Sequence, residues 1–300
     1  MQNAKLFNYL HLHLIVFIWG FTAVIGALIS IEAIPLVWFR MLLATGFVAL
    51  FIGYRKIGLS FSKKTLAGFL LAGAIIAAHW LAFFGAIKVS NVSVTLAIMS
   101  TGAFFTSLLE PLFYKRKIIG YEVFFGLIVV VGLYVIFEVE TEYVTGILLA
   151  LCASFLGALF SVINGKFAVK YNASAISFYE LGFGMLCISV YLAINGNFTA
   201  TFFVLSASDW LYLLLLASVC TAYAFIASVH VMKWISPYTV MLTINLEPVY
   251  GIILALLILG DAENMSPQFY YGAAIILVTV VLNGIIKTRL ERKNERFSRS

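Results

Sequence analysis

The stretch Ser236–Asp261 reads SPYTVMLTINLEPVYGIILALLILGD. It is long enough to cross a bilayer, which takes about 20 apolar residues. In its middle stands Asn245-Leu246-Glu247-Pro248. A carboxylate at membrane depth costs roughly 2.5–3.5 kcal/mol or more. A proline there removes a backbone donor and clashes with the preceding turn, so the helix kinks or opens. Polar, interrupted backbone at mid-membrane is tolerated where protein or a watery cavity covers it. The rest of the chain is read outward from this interruption.

The chain of 300 residues is 63% hydrophobic and 11% charged, too little polar surface for a soluble protein of this size. The expected fold class is an all-α membrane protein with ten transmembrane helices. These run over roughly residues 12–31, 34–54, 65–87, 91–114, 119–137, 144–164, 174–194, 209–231, 236–259 and 267–287. The first run is too long for the apolar core of a signal peptide and reads as a retained helix. Loops are short, so any chemistry sits among the helices.

Charge sets the orientation. Lys5, Arg55, Lys56, Lys63, Lys64, Lys115, Arg116, Lys117, Lys166, Lys170, Lys233 and the tail from Lys287 to Arg299 fall on one side, and Lys88 alone on the other. Both termini are therefore expected in the cytoplasm, across what reads as a bacterial inner membrane. The net charge of +6 belongs to this topology signal and to lipid headgroups, so no nucleic-acid partner is expected. Cys152, Cys187 and Cys220 lie inside apolar spans, without metal-site spacing, and read as small core residues.

The chain repeats itself. Ala86-Ile87-Lys88-Val89-Ser90 falls against Val231-Met232-Lys233-Trp234-Ile235, and Trp38-Phe39-Arg40 against Phe178-Tyr179-Glu180. Each half holds five spans, an odd number, so the second half enters the membrane from the opposite side. The expected domains are a first five-helix repeat over 12–137, an inverted second one over 144–287, and a basic cytoplasmic tail over 288–300. Inverted repeats place a site between the halves near mid-membrane.

Intramembrane polar groups are the candidates for that site. Arg40 lies roughly 9 Å below the outer end of its span, at a rise of ~1.5 Å per residue. It holds a substrate carboxylate, pairs with Glu247, or braces the outer gate through backbone carbonyls. His79 lies about 12 Å deep among Trp80, Phe83 and Phe84; it relays a proton, bonds a substrate, or is a satisfied core histidine. Glu247, roughly 16 Å from the cytoplasmic end, lines the site or braces the kink at Pro248. Glu247, His79 and Glu180 are the candidates for proton coupling. Trp19, Trp80 and Tyr223 are the aromatic candidates for the cavity wall, with Ser100 and Asn245 as uncharged polar lining. Glu110 reads as a partner of the basic loop Lys115–Lys117.

The chain resembles the EamA-type permeases of the drug/metabolite transporter superfamily. The resemblance rests on Trp19-Gly20, Pro35 with Arg40, Leu246-Glu247-Pro248-Val249, Leu259-Gly260-Asp261 and Gly272. It implies a secondary transporter that exports, in some members takes up, small metabolites such as amino acids. No phosphate-binding loop, zinc-protease or nucleophile-elbow motif is present, and no cofactor or metal is expected. The expected partners are a small-molecule substrate, the bilayer, and protons as coupling ion; oligomeric state is not set by the sequence. The competing reading is an intramembrane enzyme acting on a lipid-linked substrate, with His79 and a glutamate as acid and base.

Overall fold

A computed structural model of the chain describes residues 2–115, 120–139 and 141–297. Arg116, Lys117 and Arg299, which carry part of the charge argument, lie outside the described residues. Among the described residues the fold is helical throughout. The helices are α1 (Gln2–Leu28), α2 (Ala33–Arg55), α3 (Lys63–Val89), α4 (Val92–Met99), α5 (Gly102–Tyr114), α6 (Gly120–Val139) and α7 (Val144–Ala168). They continue as α8 (Ala173–Ile194), α9 (Ala207–Ala217), α10 (Ala224–Val231), α11 (Pro237–Ile244), α12 (Glu247–Leu259) and α13 (Pro267–Phe297). Nine stretches among the described residues are long and apolar enough to cross a membrane. The tenth expected span is α6, of which the apolar part Phe124–Ile136 is shorter. The protein is an integral helical membrane protein. The last helix carries the chain through Phe297, so most of the expected tail is helical.

Side-chain caps set several helix starts. Asn91 accepts from Val94 N, Ser236 from Thr239 N, Ser62 from Thr65 N and Ser206 from Asp209 N. Each satisfies a backbone donor that the first turn leaves without a partner. Two expected spans are interrupted. The fourth breaks at Ser100-Thr101 between α4 and α5, and the ninth at Asn245-Leu246 between α11 and α12. Pro248 then falls in the first turn of α12, where its missing donor costs nothing. The helix bounds coincide under a constant shift: 92 onto 237, 99 onto 244, 102 onto 247 and 114 onto 259. The eighth span is regular except for a six-residue π-turn, Ser218–Tyr223, between α9 and α10.

The nearest helix neighbours come from opposite halves of the chain. α3 packs on α7 and α8, α6 on α13, α1 on α12 and α2 on α8. Such packing has no hydrophobic drive inside lipid, so it depends on close approach of backbones. At one crossing the approach leaves no room for a side chain. A Cβ on Gly73 would stand 2.5 Å from Glu180 O, and one on Gly184 2.7 Å from Gly73 O.

One end of the bundle is tied by polar contacts between the halves. Asp209 accepts from Ser30 N and Ser30 Oγ, each at 2.7 Å. Glu263, buried, accepts from Val92 N at 3.0 Å and Ser93 N at 2.7 Å, at the start of α4. Within the first half, Lys88 Nζ donates to Ile29 O. The outer belt is apolar: Leu112, Ile194 and Leu257 are each more than 70% exposed, as lipid contact requires. The cysteines divide accordingly. Cys220 is buried, Cys187 half-buried and Cys152 exposed, so only Cys220 is the core residue that composition suggests. An apolar span offers a cysteine a lipid-facing side as readily as a core side.

Candidate functional site

A cavity of about 100 Å³ lies between the two halves. α1 contributes Trp19 and Thr22, α2 Arg40, α3 Ile76, His79, Trp80 and Phe83, and α4 Met99. From the second half come Gly157, Phe160 and Ser161 of α7, Phe225 and Ser228 of α10 with Met232 after it, Met241 and Ile244 of α11, and Glu247 of α12. The spacing is helical: Ile76, His79, Trp80 and Phe83 form one stripe on α3, three and four residues apart.

Arg40 is 1% exposed. Its Nε donates to Thr221 Oγ1 at 2.6 Å. Its guanidinium carbon lies 3.9 Å from the centroid of the Trp80 ring and 5.3 Å from that of Phe84. Its Nη1 has no hydrogen-bond partner among the described residues. The π-turn explains part of this arrangement. Its wider ring lets Thr221 Oγ1 reach Leu216 O at 2.7 Å while still accepting from Arg40, and Cys220 O accepts from Trp19 Nε1 at 3.3 Å. Such π-turns concentrate at functional sites.

His79 is half-buried, and its Nδ1 lies 2.7 Å from Ala153 O. A carbonyl only accepts, so Nδ1 carries the proton and Nε2 is the acceptor in the neutral ring. A Cβ on Gly157 would stand 3.1 Å from His79 Cε1, so the glycine makes room for the ring. Glu247, 9% exposed, lines the same cavity as Arg40.

Of the residues singled out in the sequence, Trp19, Arg40, His79, Trp80 and Glu247 are brought together here. Ser100, Tyr223, Asn245 and Glu180 are not among the lining residues. Ser100 Oγ turns back to Ala97 O. Tyr223 is 43% exposed, and its hydroxyl meets His11 Nε2 at 2.8 Å on the outside of the bundle. Two residues along a helix face different ways, so Tyr223 cannot share the inward face of Thr221. Asn245 is 1% exposed, with neither amide atom partnered among the described residues. Glu180 is fully buried and accepts from Asn164 Nδ2 at 3.1 and 3.3 Å, a link between α7 and α8. The lining also includes Met99, Phe160, Ser161, Phe225, Ser228, Met232 and Met241, which hydropathy does not distinguish from lipid-facing or core residues. The i, i+4, i+7 pattern of Thr221, Phe225 and Ser228 is the signal that could have found that face. Among the described residues no cluster of histidine, cysteine and carboxylate side chains could hold a metal ion.

Fold and site define an integral helical membrane protein enclosing a mainly apolar central cavity that carries one arginine, one histidine and one glutamate. The chain belongs to the EamA-like transporter family, whose model matches it twice, over residues 6–138 and 144–285. An uncharacterized transporter of Archaeoglobus fulgidus is 25% identical over 244 residues, 78% of this chain and 66% of the relative. One of Clostridium kluyveri is 23% identical over 206 residues, 66% of this chain and 65% of the relative. The chain thus spans about two thirds of the length of these curated relatives. A solved crystal structure shares the fold with a TM-score of 0.67 at 16% identity, covering 91% of this chain and 96% of that one.

Proposed function

We propose that the chain is a secondary transporter that moves small metabolites, amino acids or related compounds among them, across a bacterial inner membrane by alternating access. Its direction is efflux and its termini are cytoplasmic. Ten spans form two oppositely inserted five-helix repeats, 12–137 and 144–287, in keeping with the double family match and the recurring helix bounds. Trp19, Arg40, His79, Trp80 and Glu247 line the substrate path, and Glu247 exchanges the coupling proton.

The observation that carries this reading is one cavity, built by both halves, that Arg40, His79 and Glu247 line together. Its size supports a cycle. It measures about 100 Å³. Metabolite pockets run to about 300–1,000 Å³. A substrate therefore enters only when helices part. The polar ties at Asp209 and Glu263 hold one end shut, which leaves the other end, where Met232 and Met241 lie, as the one to open.

Counterflow in proteoliposomes against a panel of metabolites, at two external pH values, tests the reading. Exchange of at least one small metabolite, faster under an imposed proton gradient, is expected. No exchange with any of them at either pH overturns it.

A further inference from the structure

We infer that Arg40 is the anion subsite of the cavity and that the substrate presents to it a single carboxylate on an apolar body. The inference rests on the transporter reading and names the substrate class of the same site.

A guanidinium holds five N–H donors in a planar fork. In Arg40 one donor is spent on Thr221, one face of the plane is covered by Trp80, and Nη1 has no partner. A buried cation is costly unless it is paired and hydrogen-bonded. The one carboxylate lining the cavity, Glu247, does not supply the bond that Nη1 lacks. The chain has thus placed a desolvated cation in the cavity wall, oriented it by a 2.6 Å hydrogen bond and an aromatic stack, and left Nη1 buried without a partner among the described residues.

The shape of the fork selects the partner. A carboxylate is planar and meets the fork in its own plane, with short charge-assisted bonds. The charge of the lining selects its valence. Among the described residues Arg40 is the only arginine or lysine there, with one glutamate and one imidazole beside it. A phosphate monoester brings nearly two negative charges at neutral pH and finds no second cation. A carboxylate brings one. The remaining wall, with Trp19, Phe83, Phe160 and Phe225, suits an apolar body behind that head.

The test uses the full chain in lipid nanodiscs, with butyrate and 4-phenylbutyrate as probes. Their primary amides, butylammonium and propyl phosphate serve as matched alternatives. In the wild-type protein each carboxylate is expected to bind about tenfold or more tighter than its amide, the range of a hydrogen bond to a charged group. Propyl phosphate and butylammonium should bind no better than the amides. In Arg40→Gln the preference for carboxylate over amide should fall below about twofold. Should that variant not fold, Thr221→Val keeps the charge and removes the bond that orients it, and the preference should drop severalfold. Equal binding of carboxylate and amide by the wild-type protein overturns the assignment, as does a preference for propyl phosphate or one that survives in Arg40→Gln. Exchange of amides or butylammonium in proteoliposomes without a carboxylate preference would leave the transporter reading standing and remove the anion subsite alone.

Discussion

The fourth and ninth spans share a backbone and differ in chemistry. Each is an eight-residue helix, a two-residue break and a thirteen-residue helix. At the fourth break every hydroxyl turns back on the chain. Ser100 Oγ donates to Ala97 O, and Thr101 Oγ1 reaches Ile98 O and Ser154 Oγ, each at 2.8 Å. At the ninth break Asn245 is buried with both amide atoms unpartnered among the described residues, and Glu247 opens onto the cavity. The position matching Glu247 in the fourth span is Gly102, where a Cβ would stand 2.7 Å from Met241 Cε. One half supplies a titratable group and the other yields its place to an apolar one. The paired breaks are therefore one backbone pattern used twice, with the cavity-lining carboxylate on the second use.

The sharpest way to break this comparison is Glu247→Gln. Flux driven by a proton gradient should fall more than tenfold, about 1.4 kcal/mol or more, while exchange at equal pH persists. If gradient-driven flux is unchanged, the ninth break carries no coupling and the contrast is only one of packing.

Next in size is Gly251→Thr, which makes the ninth span resemble the fourth at Thr106. There the side chain is fully buried, and its Oγ1 donates to Gly102 O at 2.9 Å. A Cβ at Gly251 would stand 2.2 Å from Leu96 Cδ1 and 3.3 Å from Gly20 O. Overpacking of this kind costs about 1–3 kcal/mol, to be read as a lowered unfolding temperature. An unchanged unfolding temperature would mean that α1 and α12 are not as close as described.

Asn245→Leu should act the other way. A buried polar group without a partner costs about 1–3 kcal/mol, so its removal should stabilise the protein by about 1 kcal/mol and slow exchange by stiffening the break. Destabilisation would show that the amide finds a partner during the cycle or in the membrane. The smallest effect is expected of Ser100→Ala. Its hydroxyl bonds only its own helix, so stability should stay within about 0.5 kcal/mol and exchange within about twofold. A larger loss would move the fourth break into the functional site.

The ninth break was legible because proline and glutamate are costly in an apolar span, and both stand in one motif. The fourth was not, because Ser100 and Thr101 each bond a carbonyl one turn back and look like ordinary helix residues, and the further contact of Thr101 with Ser154 appears only in the fold. Trp19, Arg40, His79, Trp80 and Glu247 could be picked out for a similar reason: polar or amphipathic groups in lipid need a partner or a cavity. Glu180 met the same criterion but found its partner in Asn164. Tyr223 found His11, across the π-turn from the face that serves Arg40. No local pattern announces that turn.

Composition and span length determined a polytopic helical protein and singled out its intramembrane polar groups, because lipid penalises every unpaired polar atom. Tertiary structure alone decided which of those groups meet. Whether a buried arginine, glutamate or asparagine finds a neighbour or a void depends on how α1–α4 cross α7–α12. Those crossings follow from close backbone approach at residues such as Gly73 and Gly184, which hydropathy along the chain does not encode.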